Sequence, residues 1–381
     1  MLSGGQGGKT VTCIEVDLAA VRQNVARLRE WVGPTVQVMA VVKANAYGHG
    51  AVPVARAALA AGASWLGVSR VAEGLELRQA GLQAPILVMT YALPEEMEQV
   101  AAHHLTPTLT EMEQVQALAV AAQRLGRIVS VHIKLDSGMG RAGVLPHEGL
   151  DFARAVAAQP ALRLAGIYTH FAVADEPENG FTGEQLRVFI EAAEIIRTST
   201  APEALLHSAN TGGTLYHRYS HLNMVRCGIG IYGLRPNAAV QPPFELRAAL
   251  RISSHLGRVK TLPAGYSVGY GRTYVTPSER RIGLVPIGYG DGYPRTLSNR
   301  GMVLVGGKRV PVLGRVSMDQ LSVDLSEVLD AKPGDEVVIL GKQGREEISA
   351  DEIALWSETI NYEITTRLLA RPPRIYQHEK P

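Results

Sequence analysis

Cysteine is scarce. Only Cys13 and Cys227 occur in 381 residues, with no CxxC spacing, which excludes a disulfide framework and a cysteine zinc site and predicts two free thiols and no metal. An excess of charge of one sign is missing as well. Lys and Arg number 38 against 36 Asp and Glu, and no basic run is interleaved with aromatics, so nucleic acid is not an expected partner. No apolar run reaches the roughly 20 residues of a membrane span, and MLSGGQGGKT at the start lacks the apolar core of a signal peptide. Together these absences predict a cytoplasmic protein without a membrane partner. What is there, 46% hydrophobic and 19% charged residues, describes a globular chain long enough for two domains with a substantial core.

The stretch VQVMAVVKANAYGHG, Val36 to Gly50, stands out first. Residues 36–42 are apolar except for Gln37 and rich in valine, too short for an isolated helix, and predict a strand buried on both faces. Lys43 ends it, and turn-forming residues follow at once. A lysine at the carboxyl end of a buried parallel strand stands where α/β enzymes place their chemistry, and partial desolvation would free its amine for Schiff-base formation. A strand-end lysine snorkelling to solvent fits this stretch equally well.

The chain otherwise alternates strand and helix patterns. GGKT at 7–10 mimics the end of a phosphate-binding loop, but Ser3 stands where that motif needs glycine and no strand precedes it, so it is set aside. Val11 to Val16 alternates as a strand, and Asp17 is expected to cap a helix with Leu18, Val21, Val25, Leu28 and Val32 on one face. Eight strands are predicted at 36–42, 65–68, 86–89, 106–109, 129–135, 164–169, 205–207 and 224–226. Between them lie helical patterns such as Met112, Val115, Leu118, Ala122 and Leu125. Eight βα units argue for an α/β fold with an N-terminal (β/α)8 TIM-type barrel at 11–245, whose first strand may pair instead with the C-terminal β-domain; a doubly wound sheet is the alternative. From 246 to 381 the texture changes to short valine-rich segments, at 281–286, 302–305, 309–313, 321–324 and 336–340, between Gly and Pro turns. This predicts a mainly-β C-terminal domain, interrupted by one helix at 349–357 that opens on the capping box Ser-Ala-Asp-Glu.

Polar residues gather where the predicted barrel strands end: Lys43, Lys134 with Asp136 and Arg141, His170, Asn210 with Thr211, and Arg226. Arg226 lies in an apolar strand pattern, so its guanidinium needs a partner. GIGIYG at 228–233 matches GxGxxG, but Pro236 follows instead of a helix pattern, which argues against a dinucleotide site. Thr211-Gly212-Gly213 and Gly228-Ile229-Gly230, after strands seven and eight, either form a phosphate cup or are plain turn glycines. A phosphate cup, a strand-end lysine and a buried arginine together suggest pyridoxal 5'-phosphate (PLP).

AVVKANAYGHG, KLDSGMGRAG, YTHFAVAD, HSANTGG, VRCGIGIYG, VGYGRTY, GYGDGY and GRVSMDQ, in this order from about Val11 to Tyr376, resemble the alanine racemase family. The resemblance implies a homodimeric PLP isomerase with shared active sites that makes D-alanine for peptidoglycan. It implies that Lys43 carries the cofactor and serves as one base, and that Tyr270, from the partner subunit, is the other. Tyr47, Thr211, Gly228, Ile229 and Tyr362 would hold the cofactor's phosphate, Asn210 would also bind the cofactor, and His170 would lie against the ring. Arg226 would face the pyridine nitrogen with His207 behind it. Arg141 and the Met318 N–H would take the substrate carboxylate, Asp175, Tyr289 and Arg315 would line the entrance, and Lys134 is a candidate for carbamylation. Ser317 departs from the small residue often found before the methionine. The alternatives are a racemase of broader range, a barrel-type PLP decarboxylase, against which Arg226 argues, and a non-catalytic PLP-binding barrel, against which the β-domain argues.

Overall fold

A computed structural model of the chain describes residues 11–379, and the GGKT tetrapeptide at 7–10 lies outside the described residues. The chain forms two compact units, one spanning Leu18–Ala248 and one joining 11–17 to Ala249–His378.

The first unit is a parallel barrel. Its strands are β1 (Gln37–Val41), β2 (Trp65–Val68), β3 (Ile86–Val88), β4 (Thr106–Leu109), β5 (Val129–Lys134), β6 (Leu162–Tyr168), β7 (Leu205–His207) and β8 (Met224–Cys227). Parallel ladders join them in sequence from β1 to β7, and β8 pairs with β1. The seam between β7 and β8 is held by Asn223 N to Leu206 O (3.0 Å), Arg226 N to Ala209 O (3.0 Å) and Leu206 N to the Asn223 side chain (2.8 Å). Burial of Val38, Met39, Ala40 and Val41 explains the apolar run of β1. Its one polar residue is satisfied, because Gln37 Oε1 accepts from Trp65 Nε1 at 2.8 Å. Helices between the strands bury one face, as in Leu18–Val32, where Leu18, Val21, Val25, Leu28 and Val32 are buried.

The second unit is a mostly antiparallel sheet. Its strands run in the order Arg258–Leu262, Arg280–Val285, Leu321–Asp324, Lys308–Leu313, Met302–Val305, Glu336–Gln343, Leu250–His255, Cys13–Asp17 and Arg374–Gln377. Cys13–Asp17 pairs antiparallel with Leu250–His255 and parallel with Arg374–Gln377, so the first strand joins residues more than 200 positions away. Asp17 is the last residue of that strand and directly precedes the helix Leu18–Val32. Helix Ala350–Trp356 opens as its sequence predicts: Ser349 Oγ accepts from Glu352 N (3.1 Å) while Ser349 N donates to Glu352 Oε2 (3.0 Å).

Candidate active site

Ladder pairing in β1 stops at Val41, earlier than expected, although Val42 N still donates to Gly67 O at 2.8 Å. Lys43 therefore opens a turn. Ala44, Asn45, Ala46 and Tyr47 all have φ between 51° and 53°, a left-handed backbone that costs each non-glycine residue about 1 kcal/mol or more. Local bonds hold it there. Ala46 N donates to Val42 O (2.8 Å), Ala51 N to Asn45 Oδ1 (2.9 Å) and Ala44 N to Glu73 Oε1 (2.7 Å). Glu73 also accepts from Ser69 N (2.7 Å) and Arg70 N (3.0 Å), which ties the lysine turn to the loop after β2. Burial, helped by the charge of Arg141 and opposed by Glu73, lowers the pKa of Lys43 and favours its free amine.

Arg226, near the end of β8, is almost wholly buried and has only neutral partners. Its guanidinium donates to His207 Nδ1 (2.9 Å), Thr169 O (2.7 Å), Ser208 O (2.9 Å) and His170 Nδ1 (3.3 Å), and lies 5.0 Å from the Tyr168 ring centroid. No carboxylate among the described residues pairs with it. Burial pulls its pKa down to about 10, so it remains a cation at neutral pH. His170 and His207 are pushed well below the ordinary histidine value, by burial first and Arg226 second, and are neutral. Lys134, at the end of β5, is lowered to about 8 by burial and then by Arg141 and Arg226.

The loop after β5 is organised by Asp136. Its Oδ1 accepts from Gly138 N (3.0 Å), Met139 N (2.9 Å) and Gly140 N (3.1 Å), and its Oδ2 accepts from Arg141 N (3.0 Å). Burial raises the pKa of this carboxyl, but the four donors outweigh it and hold the group below its usual range.

The glycine segments after β7 and β8 meet. Asn210 Oδ1 accepts from Gly213 N (2.9 Å) and caps the helix Thr211–Tyr216, and Gly228 N donates to Thr211 Oγ1 (3.0 Å). A Cβ at Gly228 would stand 2.5 Å from Tyr47 Oη, so any side chain there would displace the buried tyrosine. Ile229–Tyr232 is one 3-10 turn ending at Gly233 (φ 82°), so GIGIYG opens no dinucleotide-binding helix. Asp175 is half-buried in the loop after β6, and its backbone O accepts from Asn237 Nδ2 at 3.1 Å.

The β unit carries the other expected residues. Tyr270 is 70% exposed, between Gly269 and Gly271. A Cβ at Gly271 would lie 3.1 Å from the Arg315 guanidinium, so Arg315 flanks the Tyr270 turn. Tyr289 N donates to Ser317 O (3.1 Å) and Gly290 N to Met318 O (2.8 Å), which joins the Tyr289 and Met318 loops. Arg371 clamps these loops by donating to Asp291 and Asp319, each at 2.6 Å. Tyr362 is half-buried on the short helix Asn361–Thr366.

Residues 16–236 match the family described as alanine racemase, N-terminal domain, and residues 249–376 match alanine racemase, C-terminal domain. The chain belongs to the alanine racemase family. It is 45% identical over 372 residues to the alanine racemase of Symbiobacterium thermophilum, covering 98% of each chain. With that of Nostoc sp. it shares 42% identity over 95% of each. The crystal structure of alanine racemase from Streptomyces lavendulae superposes with a TM-score of 0.93 at 41% identity, covering 97% of this chain and 98% of that one. That from Bacillus anthracis, with bound L-Ala-P, gives 0.92 at 39%, covering 98% and 97%. The alanine racemase from Bartonella henselae, described with covalently bound pyridoxal phosphate, gives 0.87 at 27%, covering 97% and 100%.

Five groups, Glu73, Tyr168, Thr169, Ser208 and His132, escaped the sequence reading. Glu73 looks like an ordinary first-turn glutamate of helix Val71–Gln79, and Tyr168, Thr169 and Ser208 look like core and loop residues. Alternation in β5 and β6 could have pointed inward to His132 and Tyr168, each two residues from a rim position or at one. Their partners, however, lie on other strands.

Proposed function

We propose that this alanine racemase family member interconverts L- and D-alanine with PLP, using Lys43 and Tyr270 as bases on opposite faces. Arg226 carries this reading. A fully buried arginine with only neutral acceptors still offers N–H donation to a ring nitrogen and, as a strong base, does not readily surrender its proton. The residues fit the group. Arg141 and Arg226 supply positive charge for an anionic cofactor, and Gly228, whose N–H donates to Thr211 Oγ1 and which lies beside Tyr47 Oη, gathers the expected phosphate-side residues in one place.

Lys43 would hold the cofactor covalently, with Tyr47, Thr211, Gly228, Ile229 and Tyr362 on its phosphate side, Asn210 capping the helix beside them, His170 against its ring and Arg226 at the pyridine nitrogen. When bound, PLP supplies a sink for the electron pair left when the substrate Cα loses its proton. Burial lowers the pKa of Lys43, which favours the free amine that can take this proton. Tyr270 of the partner subunit returns a proton to the other face, which makes the working form a homodimer with shared sites. Arg141 and the Met318 N–H take the substrate carboxylate, while Asp175, Tyr289 and Arg315 shape the entrance. Lys134, with its lowered pKa, is the amine suited to carbamylation beside Arg141. D-alanine for cell-wall synthesis, made in the cytoplasm, is the product this assigns.

The test is direct. Purified protein loaded with PLP and given L-alanine should yield both enantiomers by chiral chromatography, and L-serine in parallel measures substrate range. Retention of pure L-alanine by folded, PLP-loaded protein would refute the activity.

A further inference from the structure

The chain of bonds behind Arg226 does not end at His207. His132, on β5, lies across β6 from His207, on β7, and its Nδ1 is 3.0 Å from His207 Nε2. The two rings meet edge to face at 5.1 Å. Between them on β6, the residue paired with His132 is Gly166, and a Cβ there would stand 2.5 to 2.7 Å from three atoms of the His132 ring. The β5–β6 register shifts between Val131 and His132, and this irregularity brings glycine opposite the histidine. Two residues further on, Tyr168 is paired with His207 and stacks on it at 4.7 Å and 10°.

Hydrogen positions along this chain follow from its first member. A guanidinium has no acceptor, so Arg226 donates to His207 Nδ1, which must be bare. The His207 proton therefore sits on Nε2 and is donated to His132 Nδ1, which leaves the His132 proton on Nε2. That last atom is buried and has no partner among the described residues. Both rings are neutral, because burial first and Arg226 second depress their pKa values, that of His132 to about 3.

We propose that His132 is a positioning residue for Arg226: through its bare Nδ1 it holds the His207 ring in the orientation and tautomer that keep a lone pair on the guanidinium, and Gly166 supplies the room. This rests on the reading of Arg226 as the cofactor-facing cation. Without His132, the buried His207 N–H loses its acceptor, the ring is free to turn, and one of the four acceptors that fix the guanidinium goes with it.

The experiment has a spectroscopic arm and a kinetic arm. Long-range proton–nitrogen correlation spectra of the full chain as purified, labelled with 15N-histidine and assigned by single substitutions, should show His132 and His207 neutral at pH 7, each protonated on Nε2 and bare on Nδ1. A proton on Nδ1 of either ring, or a doubly protonated ring, overturns the proposal whether or not the protein racemises alanine. His132→Leu removes the acceptor at constant volume, whereas His132→Asn keeps an oxygen at the Nδ1 position. The first should lower kcat about 5- to 100-fold with KM for alanine little changed, and the second should restore kcat to within about threefold of the parent. Should His132→Leu not fold, Gly166→Ala, whose methyl displaces the ring, replaces it with the same expectation. Unchanged kcat in the acceptor-free variant, or equal loss in His132→Asn, would show that the second imidazole only fills space.

Discussion

Asp136→Asn isolates the placement of Arg141 from everything else in the barrel. The carboxylate accepts N–H bonds from Gly138, Met139, Gly140 and Arg141, all within five residues, and the last goes to Oδ2 alone at 3.0 Å. Asparagine preserves Oδ1 for three of these donors but sets an NH2 group against the Arg141 N–H. Losing one charge-assisted bond costs about 1.5–3 kcal/mol where it is buried; Asp136 is half-buried, so partial solvent screening reduces this to about 1–2 kcal/mol. If Arg141 holds the substrate carboxylate, that figure corresponds to a KM for alanine raised about 5- to 30-fold. Because all four bonds are local, kcat should stay within about threefold and the melting temperature should hardly move. Steady-state kinetics in both directions, with calorimetry, measures all three quantities. The wild type should show the same loss in acid. The folded-state pKa of Asp136 is depressed, so the loop's stabilisation is present above the ordinary carboxylate value and is lost as pH falls through the folded one. An unchanged KM in Asp136→Asn, or parallel loss of kcat and melting temperature, would refute the assignment of this loop to carboxylate binding.

Lys43→Ala should abolish covalent cofactor attachment; the check is the mass of borohydride-reduced protein, and PLP still fixed to the variant would remove Lys43 from this role. Arg226→Glu sets a carboxylate against the carbonyls of Thr169 and Ser208, so the melting temperature should fall, each buried carbonyl left without a donor costing about 1–3 kcal/mol. In the same variant racemisation should fall while transamination rises, and the ratio of the two, measured in one sample, is independent of how much protein remains folded. Tyr270→Phe alters a 70% exposed side chain, so stability and PLP content should be unchanged. Racemisation should nevertheless slow by about two to four orders of magnitude, with exchange of the α-proton surviving better from one enantiomer than from the other. Mixing Tyr270→Phe with Lys43→Ala chains should restore activity by forming one site with both bases, and inactive heterodimers proven by mass would refute a shared site.

Much of the barrel was legible in the chain because its signals are local. The apolar run of β1, the periodic helices and the turn chemistry after each strand depend on residues within a few positions of one another, and so does the Ser349–Glu352 capping box. The rim residues were legible for the same reason. Lys43, Lys134, Arg226 and Asn210 announce themselves as polar groups where strand patterns stop. Arg226 also declared by its apolar surroundings that a partner was required.

Which partner it was could not be read. The acceptors of Arg226 come from the ends of β6 and β7 and from backbone carbonyls that any sequence supplies, and nothing in the residue types shows that no carboxylate would be used. The left-handed run Ala44–Tyr47 was hidden too, because only Asn45 among its residues favours positive φ, and the conformation is held by bonds from Val42, Glu73 and the Asn45 side chain. Likewise the strand Cys13–Asp17 alternates like any other, and although pairing with the β-domain was open to it, its place between Leu250–His255 and Arg374–Gln377 is set by partners more than 200 positions away. Sequence alone determined the barrel strands, their order and the chemical types at the strand ends, since propensity and periodicity act over a few residues, but it passed over the strands Leu250–His255, Arg258–Leu262 and Arg374–Gln377 and a second helix of the β unit, Asn361–Thr366. Only the tertiary structure decided register, and with it that Gly166 stands opposite His132 and Tyr168 opposite His207, because a one-residue shift between strands is nearly invisible locally yet changes every neighbour across the barrel.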